Sequence, residues 1–430
     1  MKRISGINLP HNKNTAQSAA EMLPVPTEVH IPMSMHIGAP AKPVVHAGDD
    51  VKAGQLIGEA DGLISSPVHA SVSGKVKSIN DKGFISGLNS VSVTIESDGR
   101  SDAYVEFRKP IVTNLQQFLG AVRDSGVVGL GGAGFPTAVK LTIKDTDQID
   151  YILVNGAECE PYITSDTRMM VSEADFIFEG VQLMKRFIKP KKVLICIEGN
   201  KPEAISKMKE AFISDKDTDI RVLPAMYPQG GEKVLIYNVT GRIVPEGALP
   251  LKAGCIVVNC STVATIARYI ELGIPLLQKV ITVDGAAVKT PKNVIAPIGA
   301  PIGELFEYCG GFVNEGPIKV LSGGPMMGAL IRDLNTPVIK TTGSVLAFPE
   351  QDIAVPKETA CIRCGRCINK CPMRLMPVNI EAAVRLKKTQ LLKQYKADLC
   401  IECGCCAYIC PAKRPLLQAM QLSKEMLKKS

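Results

Sequence analysis

Nine of the fourteen cysteines of this 430-residue chain lie between Cys361 and Cys410, and eight of the nine repeat one spacing twice. Cys361-x2-Cys364-x2-Cys367-x3-Cys371-Pro372 is followed by Cys400-x2-Cys403-x2-Cys406-x3-Cys410-Pro411. Two-residue gaps let three thiolates of one tight loop reach three irons of a cube, and the fourth ligand comes from elsewhere. With proline after the last cysteine, this is the spacing of two [4Fe–4S] clusters. In that pattern the last cysteine of each run serves the other cube. Cys361, Cys364, Cys367 and Cys410 are therefore assigned to one cluster, and Cys400, Cys403, Cys406 and Cys371 to the second. Paired zinc sites also use two-residue gaps, but they need neither four cysteines per run nor the trailing proline. Cys405, beside Cys406, is a bystander or an alternative register. Cys159, Cys196, Cys255, Cys260 and Cys309 stand in apolar or loop stretches and read as small core residues.

A second constellation is Gly129-Leu-Gly131-Gly132-Ala-Gly134-Phe135-Pro136-Thr137, which contains a literal G-x-G-x-x-G. A dinucleotide fingerprint leaves a strand and enters a helix, whereas the pattern before this loop is that of a helix ending at Asp124, so the motif alone does not specify a Rossmann site. The loop does supply backbone without side chains, able to approach a flat ring or a phosphate, with Lys140 near enough in sequence to meet an anion. The bland alternative is a structural turn.

These residues need elements to position them, and the length leaves room for about three domains. With 46% hydrophobic and 21% charged residues, the composition is that of a folded globular chain. No apolar run approaches the roughly 18 residues of a spanning helix. Met1 to Pro10 is followed by no apolar h-region, so the chain is expected in the cytosol, where cysteines ligate metal more than they pair. From Lys357 to Ser430 there are 15 Lys and Arg against 5 Asp and Glu. Arg363, Arg366, Lys370 and Arg374 interleave with the thiols, and part of this excess offsets clusters that carry negative charge. Nucleic acid is the competing partner, but the chain has no Trp and few interleaved aromatics.

Residues 29–100 carry short Val and Ile runs punctuated by Gly, Pro, Ser and Asp, as expected of short strands and tight turns. From Asn114 the pattern alternates between helices and apolar strands. Asn114 caps a helix with Leu115, Phe118, Leu119 and Val122 on its core face, and Ser172-Glu-Ala-Asp175 reads as a capping box. Tyr151–Val154, Val193–Ile197, Ile220–Leu223 and Cys255–Val258 are strand-length apolar runs, and helices are expected at Pro202–Ile213 and Thr262–Leu272. This alternation predicts an α/β unit with a mainly parallel sheet. Residues 278–330 return to short strands and Gly turns, Pro349–Pro356 reads as a linker, and helices are expected at Asn379–Tyr395 and at the lysine-rich end.

Several stretches resemble known families. Gly58 to Val76 is similar to the barrel-sandwich fold of lipoyl and biotinyl carriers, with Gly62 where a carrier presents its modified lysine, which implies a structural role. The run Gly129 to Lys140, then Asn155-Gly-Ala-Glu158-Cys-Glu160-Pro161, Gly230-Gly231-Glu232 and Asn259-Cys-Ser-Thr262 resembles the FMN and NADH site of the NADH-oxidising flavoprotein subunit of respiratory complex I. That resemblance implies FMN contacts from Gly129, Gly131, Gly132, Lys140, Asn155, Glu158, Asn259 and Thr262, and nicotinamide contacts from Phe135, Glu160 and Glu232. Ala157 and Gly231 stand where that family has acidic residues. The order of parts, with two clusters at the C-terminal end and His11-Asn12-Lys13 after Pro10, is similar to the C subunits of Rnf electron-transport complexes.

Together these resemblances imply an α/β multidomain protein. A barrel-sandwich β domain spans 1–105, a Rossmann-like α/β flavin domain 106–275, a β-grasp (SLBB) module 276–345 and a helical two-[4Fe–4S] ferredoxin domain 355–430. They imply a ferredoxin:NAD+ oxidoreductase subunit, peripheral on the cytoplasmic face of the membrane and working with membrane-embedded and ferredoxin-like subunits that move Na+ or H+. NAD(H) exchanges two electrons as hydride and an iron–sulfur cube exchanges one, so FMN belongs between them. Two other readings stay open: a cobalamin reductase of a bacterial microcompartment, which shares the architecture, and an electron relay without flavin.

Overall fold

Alternating apolar residues build the first unit. The computed structural model describes residues 6–81, 91–100, 106–143, 149–313, 316–353 and 357–429. Glu28–Pro32, Val91–Ser97, Gly74–Asp81 and Asp50–Val51 form an antiparallel sheet. Its register sets Val29 against Ile95 and Ile95 against Val76, then Ile31 against Val93 and Val93 against Ile79. Side chains alternate faces along a strand, so these rows point one way into the core. Lys42–Pro43, Leu56–Glu59 and Val68–His69 form the smaller facing sheet. At its tip Gly62 takes a positive φ and Leu63 is 83% exposed.

The second unit is a four-stranded parallel sheet in the order Thr218–Leu223, Lys192–Glu198, Tyr151–Gly156, Cys255–Asn259. The strands Lys192–Glu198, Tyr151–Gly156 and Cys255–Asn259 have apolar centres because both faces are covered, whereas Thr218–Leu223, at one edge, carries Asp219 and Arg221 toward solvent. Ile152, Val154, Ile195, Ile197, Ile256 and Val258 face the helices Leu115–Asp124, Ala174–Ile188 and Cys260–Leu272. Leu153, Leu194, Cys196, Cys255 and Val257 face the helix Glu232–Thr240. Asn114 caps its helix as expected, its Oδ1 accepting from the Gln117 N–H at 2.9 Å. The capping box is corrected. The Ser172 hydroxyl donates back to the Arg168 carbonyl at 2.9 Å, closing the helix Ser165–Ser172, and Glu173 pairs with Arg268, so neither caps Ala174–Ile188.

The third unit is a six-stranded mixed sheet around the helix Ile302–Tyr308, with Ile281, Val283, Leu305, Phe306 and Val345 in its core. Its edge strand, Ala20–Met22, comes from the N-terminal segment and runs parallel to Lys292–Pro297. Ser344–Pro349 is its last strand in the chain; Glu350–Ile353 then forms a 3-10 turn, and 354–356, the end of the expected linker, lie outside the described residues.

Lys340 ties three units together. Its buried ammonium donates to Ser66 Oγ at 3.2 Å and the Pro67 carbonyl at 2.6 Å in the first unit, and to the Gly126 carbonyl at 2.7 Å in the second. Burial draws its pKa down to about 7, while the three oxygens hold its protons. Lys340→Met should leave buried acceptors unpaired and lower stability by about 3 kcal/mol. Chemical denaturation of the full chain checks this; unchanged stability would mean that the units dock without the lysine.

The two cysteine runs fold alike. Gly365 and Gly404 both take positive φ before the four-residue helices Arg366–Asn369 and Cys405–Tyr408, as do Arg363 and Glu402 before them and Arg374 and Lys413 after. The Arg363 N–H donates to Cys361 Sγ at 3.4 Å, and the equivalent Glu402 N–H to Cys400 Sγ at 3.3 Å. The spacing repeat is thus a backbone repeat. The helices Pro377–Arg385 and Leu416–Lys428 pack together behind the loops. The single helix expected over 379–395 is broken: Lys387 is left-handed and a second helix begins at Thr389.

Candidate functional site

Parallel α/β sheets bind ligands outside the carboxyl ends of their strands, where neighbouring connections leave in opposite directions. Tyr151–Gly156 and Cys255–Asn259 meet at such a point. Asn155 and Asn259 are register partners at their ends, and a cleft of about 1440 Å³ opens over them. Gly129, Gly131, Gly132, Phe135, Lys140, Asn155, Glu158, Glu160, Glu232, Asn259 and Thr262 all line it.

The glycine loop is a closed turn, with the Gly129 N–H donating to the Phe135 carbonyl at 2.9 Å. Thr262 clamps it from below, its hydroxyl accepting from the Leu130 N–H at 3.1 Å and donating to the Val128 carbonyl at 3.2 Å. A Cβ on Gly131 would fall 2.5 Å from Asn259 Nδ2, so only glycine lets the loop come this close. A Cβ on Gly132 would meet nothing within 4 Å and would project into open space beside the cleft. That is a cradle suited to a flat ring approaching backbone.

Several polar residues hold the walls to one another. The Asn155 amide donates to the Gly230 carbonyl at 2.9 Å, and Asn259 Oδ1 accepts from Ser261 and Thr262 N–H at 2.9 and 3.3 Å, capping Cys260–Leu272. The Asn259 amide donates to Asp166 Oδ2 at 2.7 Å. The Glu158 carboxylate accepts from the Asp166 N–H at 2.8 Å, the Thr167 N–H at 3.3 Å and the Thr167 hydroxyl at 2.7 Å, where a helix N-terminus favours negative charge. Lys140 donates to Glu232 Oε1 at 2.7 Å and to the Val257 carbonyl at 3.0 Å.

Glu160 is different. Its Oε2 accepts from the Met326 N–H at 3.1 Å, while Oε1 is buried without a hydrogen-bond partner among the described residues. Burial raises its pKa from the ordinary 4.5 to about 7. The neutral carboxyl is thus the form the fold prefers, and the resulting penalty is absent below pH 4.5, grows as pH rises to 7 and is constant above. Glu160→Gln removes it. The variant should match the parent near pH 4.5 and be more stable by about 2 kcal/mol above pH 7. Melting curves of flavin-free protein across that range test this, and a pH-independent difference would rule it out.

Sequence reasoning missed the residues that shape the loop carrying Glu158 and Glu160. Lys13 donates to the carbonyls of Glu158, Glu160 and Ile163 at 2.9, 2.7 and 2.5 Å. Lys201 donates to the Glu158 carbonyl at 3.1 Å and to Glu198 at 2.7 Å. The only sequence signal was the His11-Asn12-Lys13 segment, which carries no ligand spacing. Of the dispersed cysteines, four are buried; Cys159 and the buried Cys255 both line the cleft, and Cys159 Sγ accepts from the Gly230 N–H at 3.4 Å.

Cys371, Cys400, Cys403 and Cys406 surround one small cavity, which Cys405 also lines. Cys367 packs against Cys410 across the repeat, and Cys361 and Cys364 are exposed. Ile401 and Cys403 line both this cavity and the large cleft. Tyr227 fixes that junction, its hydroxyl donating to the Cys403 carbonyl at 2.7 Å.

Residues 122–268 match the model of the Nuo51 FMN-binding domain, 2–100 the RnfC barrel sandwich hybrid domain, 280–330 the SLBB domain and 360–413 the 4Fe-4S dicluster domain. The chain is 43% identical over 369 residues to the C subunit of the proton-translocating ferredoxin:NAD(+) oxidoreductase complex of Clostridium ljungdahlii, covering 85% of this chain and 80% of that protein. It is 42% identical over 380 residues to the C subunit of the Na(+)-translocating ferredoxin:NAD(+) oxidoreductase complex of Acetobacterium woodii, covering 87% and 85%. Among solved structures, the NAD+-reducing [NiFe]-hydrogenase in the H2-reduced state matches with a TM-score of 0.52 at 18% identity, over 73% of this chain and 63% of that one, a likeness of fold.

Proposed function

We propose that this chain, which belongs to the family of C subunits of ion-translocating ferredoxin:NAD(+) oxidoreductase complexes, is the subunit that exchanges hydride with NAD(H) and single electrons with the rest of such a complex. Bound FMN would supply the exchange between paired and single electrons, and two [4Fe–4S] clusters the conduction. The observation that carries this is the junction at Ile401 and Cys403, which opens one thiol set into the cleft.

The chain's own residues then divide the work. Gly131 and Gly132 leave room for the flavin ring, and Lys140 offers it a positive charge from the wall. Phe135, Glu160 and Glu232 stand where nicotinamide would be oriented. Asn155, Glu158, Asn259 and Thr262 fix the walls that carry these groups. Cys371, Cys400, Cys403 and Cys406 hold the cluster nearer the cleft, and Cys361, Cys364, Cys367 and Cys410 the outer one.

The exposed Cys361 and Cys364, with Arg363 and Arg366 beside them, form a basic face for a ferredoxin or a ferredoxin-like subunit. No helix among the described residues is long and apolar enough to cross a membrane. Attachment at the cytoplasmic face would therefore come through membrane-embedded partner subunits. Anaerobically purified protein should contain about eight irons per chain, two cubes of four, and its yellow flavin band should bleach on addition of NADH. A protein with full iron that lacks the flavin band and is inert to NADH would reduce the chain to a relay.

A further inference from the structure

The cleft continues past the glycine loop to the N-terminus of the helix Cys260–Leu272, where the third unit closes over it. Lys279, near the start of the strand Gln278–Asp284, lines this end together with Asn259, Ser261 and Thr262. The Lys279 side chain is only 7% exposed, and its ammonium, without a hydrogen-bond or ion-pair partner among the described residues, borders the cleft. A buried, unpartnered ammonium is costly, and its burial draws the pKa down to about 8.

Asp166 supplies the main negative charge that Lys279 senses, but it does not take the lysine as a partner. The Asp166 oxygens are engaged by the Ser261 hydroxyl and the Asn259 amide, both at 2.7 Å. Burial and the Glu158 charge raise the Asp166 pKa, so this carboxyl is a weak counter-ion. An anion seated at this helix end would gain from the helix dipole, but Asn259 already takes the Ser261 and Thr262 N–H groups, and Asp166 and Glu158 lie beside it. A cation is needed on the open side, and Lys279 is placed there.

We propose that Lys279, from the β-grasp unit, is the counter-charge for the phosphate of the flavin mononucleotide, which is seated at the N-terminus of Cys260–Leu272. This rests on the flavin reading of the cleft and extends it. Part of the flavin site is then supplied by a unit other than the α/β domain, and docking of the two units by Lys340 becomes a condition for tight FMN binding. The lysine selects the phosphorylated flavin over riboflavin, which has the same ring and ribityl chain without the charge.

Calorimetric titration of FMN and riboflavin into flavin-free full-length protein with its clusters in place tests this. Parent protein should prefer FMN. Lys279→Met should weaken FMN roughly 10- to 100-fold, as expected for a lost charge-assisted bond, and change riboflavin less than about threefold. Lys279→Arg should restore most of the preference for FMN. Equal losses for both ligands, or no loss for either, would overturn the assignment. Parent protein that binds neither flavin would instead overturn the flavin reading itself, and the two failures are distinguished by the parent titration alone. If Lys279→Met does not fold, which its cluster absorbance reports, Lys279→Gln replaces it with the same expected pattern.

Discussion

Gly132→Leu is expected to empty the cleft of flavin without disturbing the fold. The site for its Cβ touches no protein atom within 4 Å and Gly132 lines the cleft, so the new side chain has room in the fold and crowds the cleft where a ligand would approach the loop. Stability should stay within about 0.5 kcal/mol of the parent, as for substitutions that meet no structural neighbour. Flavin affinity should fall by roughly 100-fold, because a bulky group forced into a filled site costs several times the thermal energy. Gly131→Ala provides the contrast. Its methyl would fall 2.5 Å from Asn259 Nδ2, disturbing the cap of Cys260–Leu272, so this variant should lose stability together with flavin. Flavin-to-protein ratio, iron content and NADH oxidation are the readouts. Full flavin content in Gly132→Leu would show that the loop does not face the ring.

How much of this was legible in the sequence depends on how local the signal was. Cys361 to Cys410 could be read because ligand spacing is a local constraint, and the structure repeats it down to matched left-handed residues. The uninterrupted runs at Ile152–Val154 and Val193–Ile197 could be read because a sheet covered on both faces leaves no polar positions. Signals settled by distant partners could not. Lys13 reaches Glu158 and Lys340 reaches Pro67 across long stretches of chain, and no spacing announces either contact. Ser172-Glu-Ala-Asp175 had a local pattern, but the Ser172 hydroxyl turns back to the Arg168 carbonyl instead of capping the next helix. Glu158 could be placed at the cleft from the resemblance alone. That its carboxylate serves the N-terminus of Ser165–Ser172 followed only from the fold.

The order of the two clusters gives the largest difference between two otherwise similar substitutions. Cys403 lies on the boundary shared by the cleft and the inner thiol cavity, whereas Cys364 is exposed at the far side of the repeat. Cys403→Ala should remove the inner cluster and leave the outer one. Tyr227 bonds the backbone carbonyl of residue 403, not its sulfur, so the junction and the flavin content should survive. NADH should still exchange hydride with a nicotinamide analogue at the parent rate. The remaining cluster, however, should be reduced more slowly by orders of magnitude, because the missing centre is the one next to the cleft. Cys364→Ala removes the outer cluster instead. There the remaining cluster should be reduced by NADH at the parent rate, while electron exchange with an external one-electron carrier collapses. Freeze-quench paramagnetic resonance after mixing with NADH separates the two variants. If Cys364→Ala blocks cluster reduction and Cys403→Ala leaves it fast, the inner and outer assignments are reversed and the basic face at Arg363 and Arg366 is not where single electrons enter or leave.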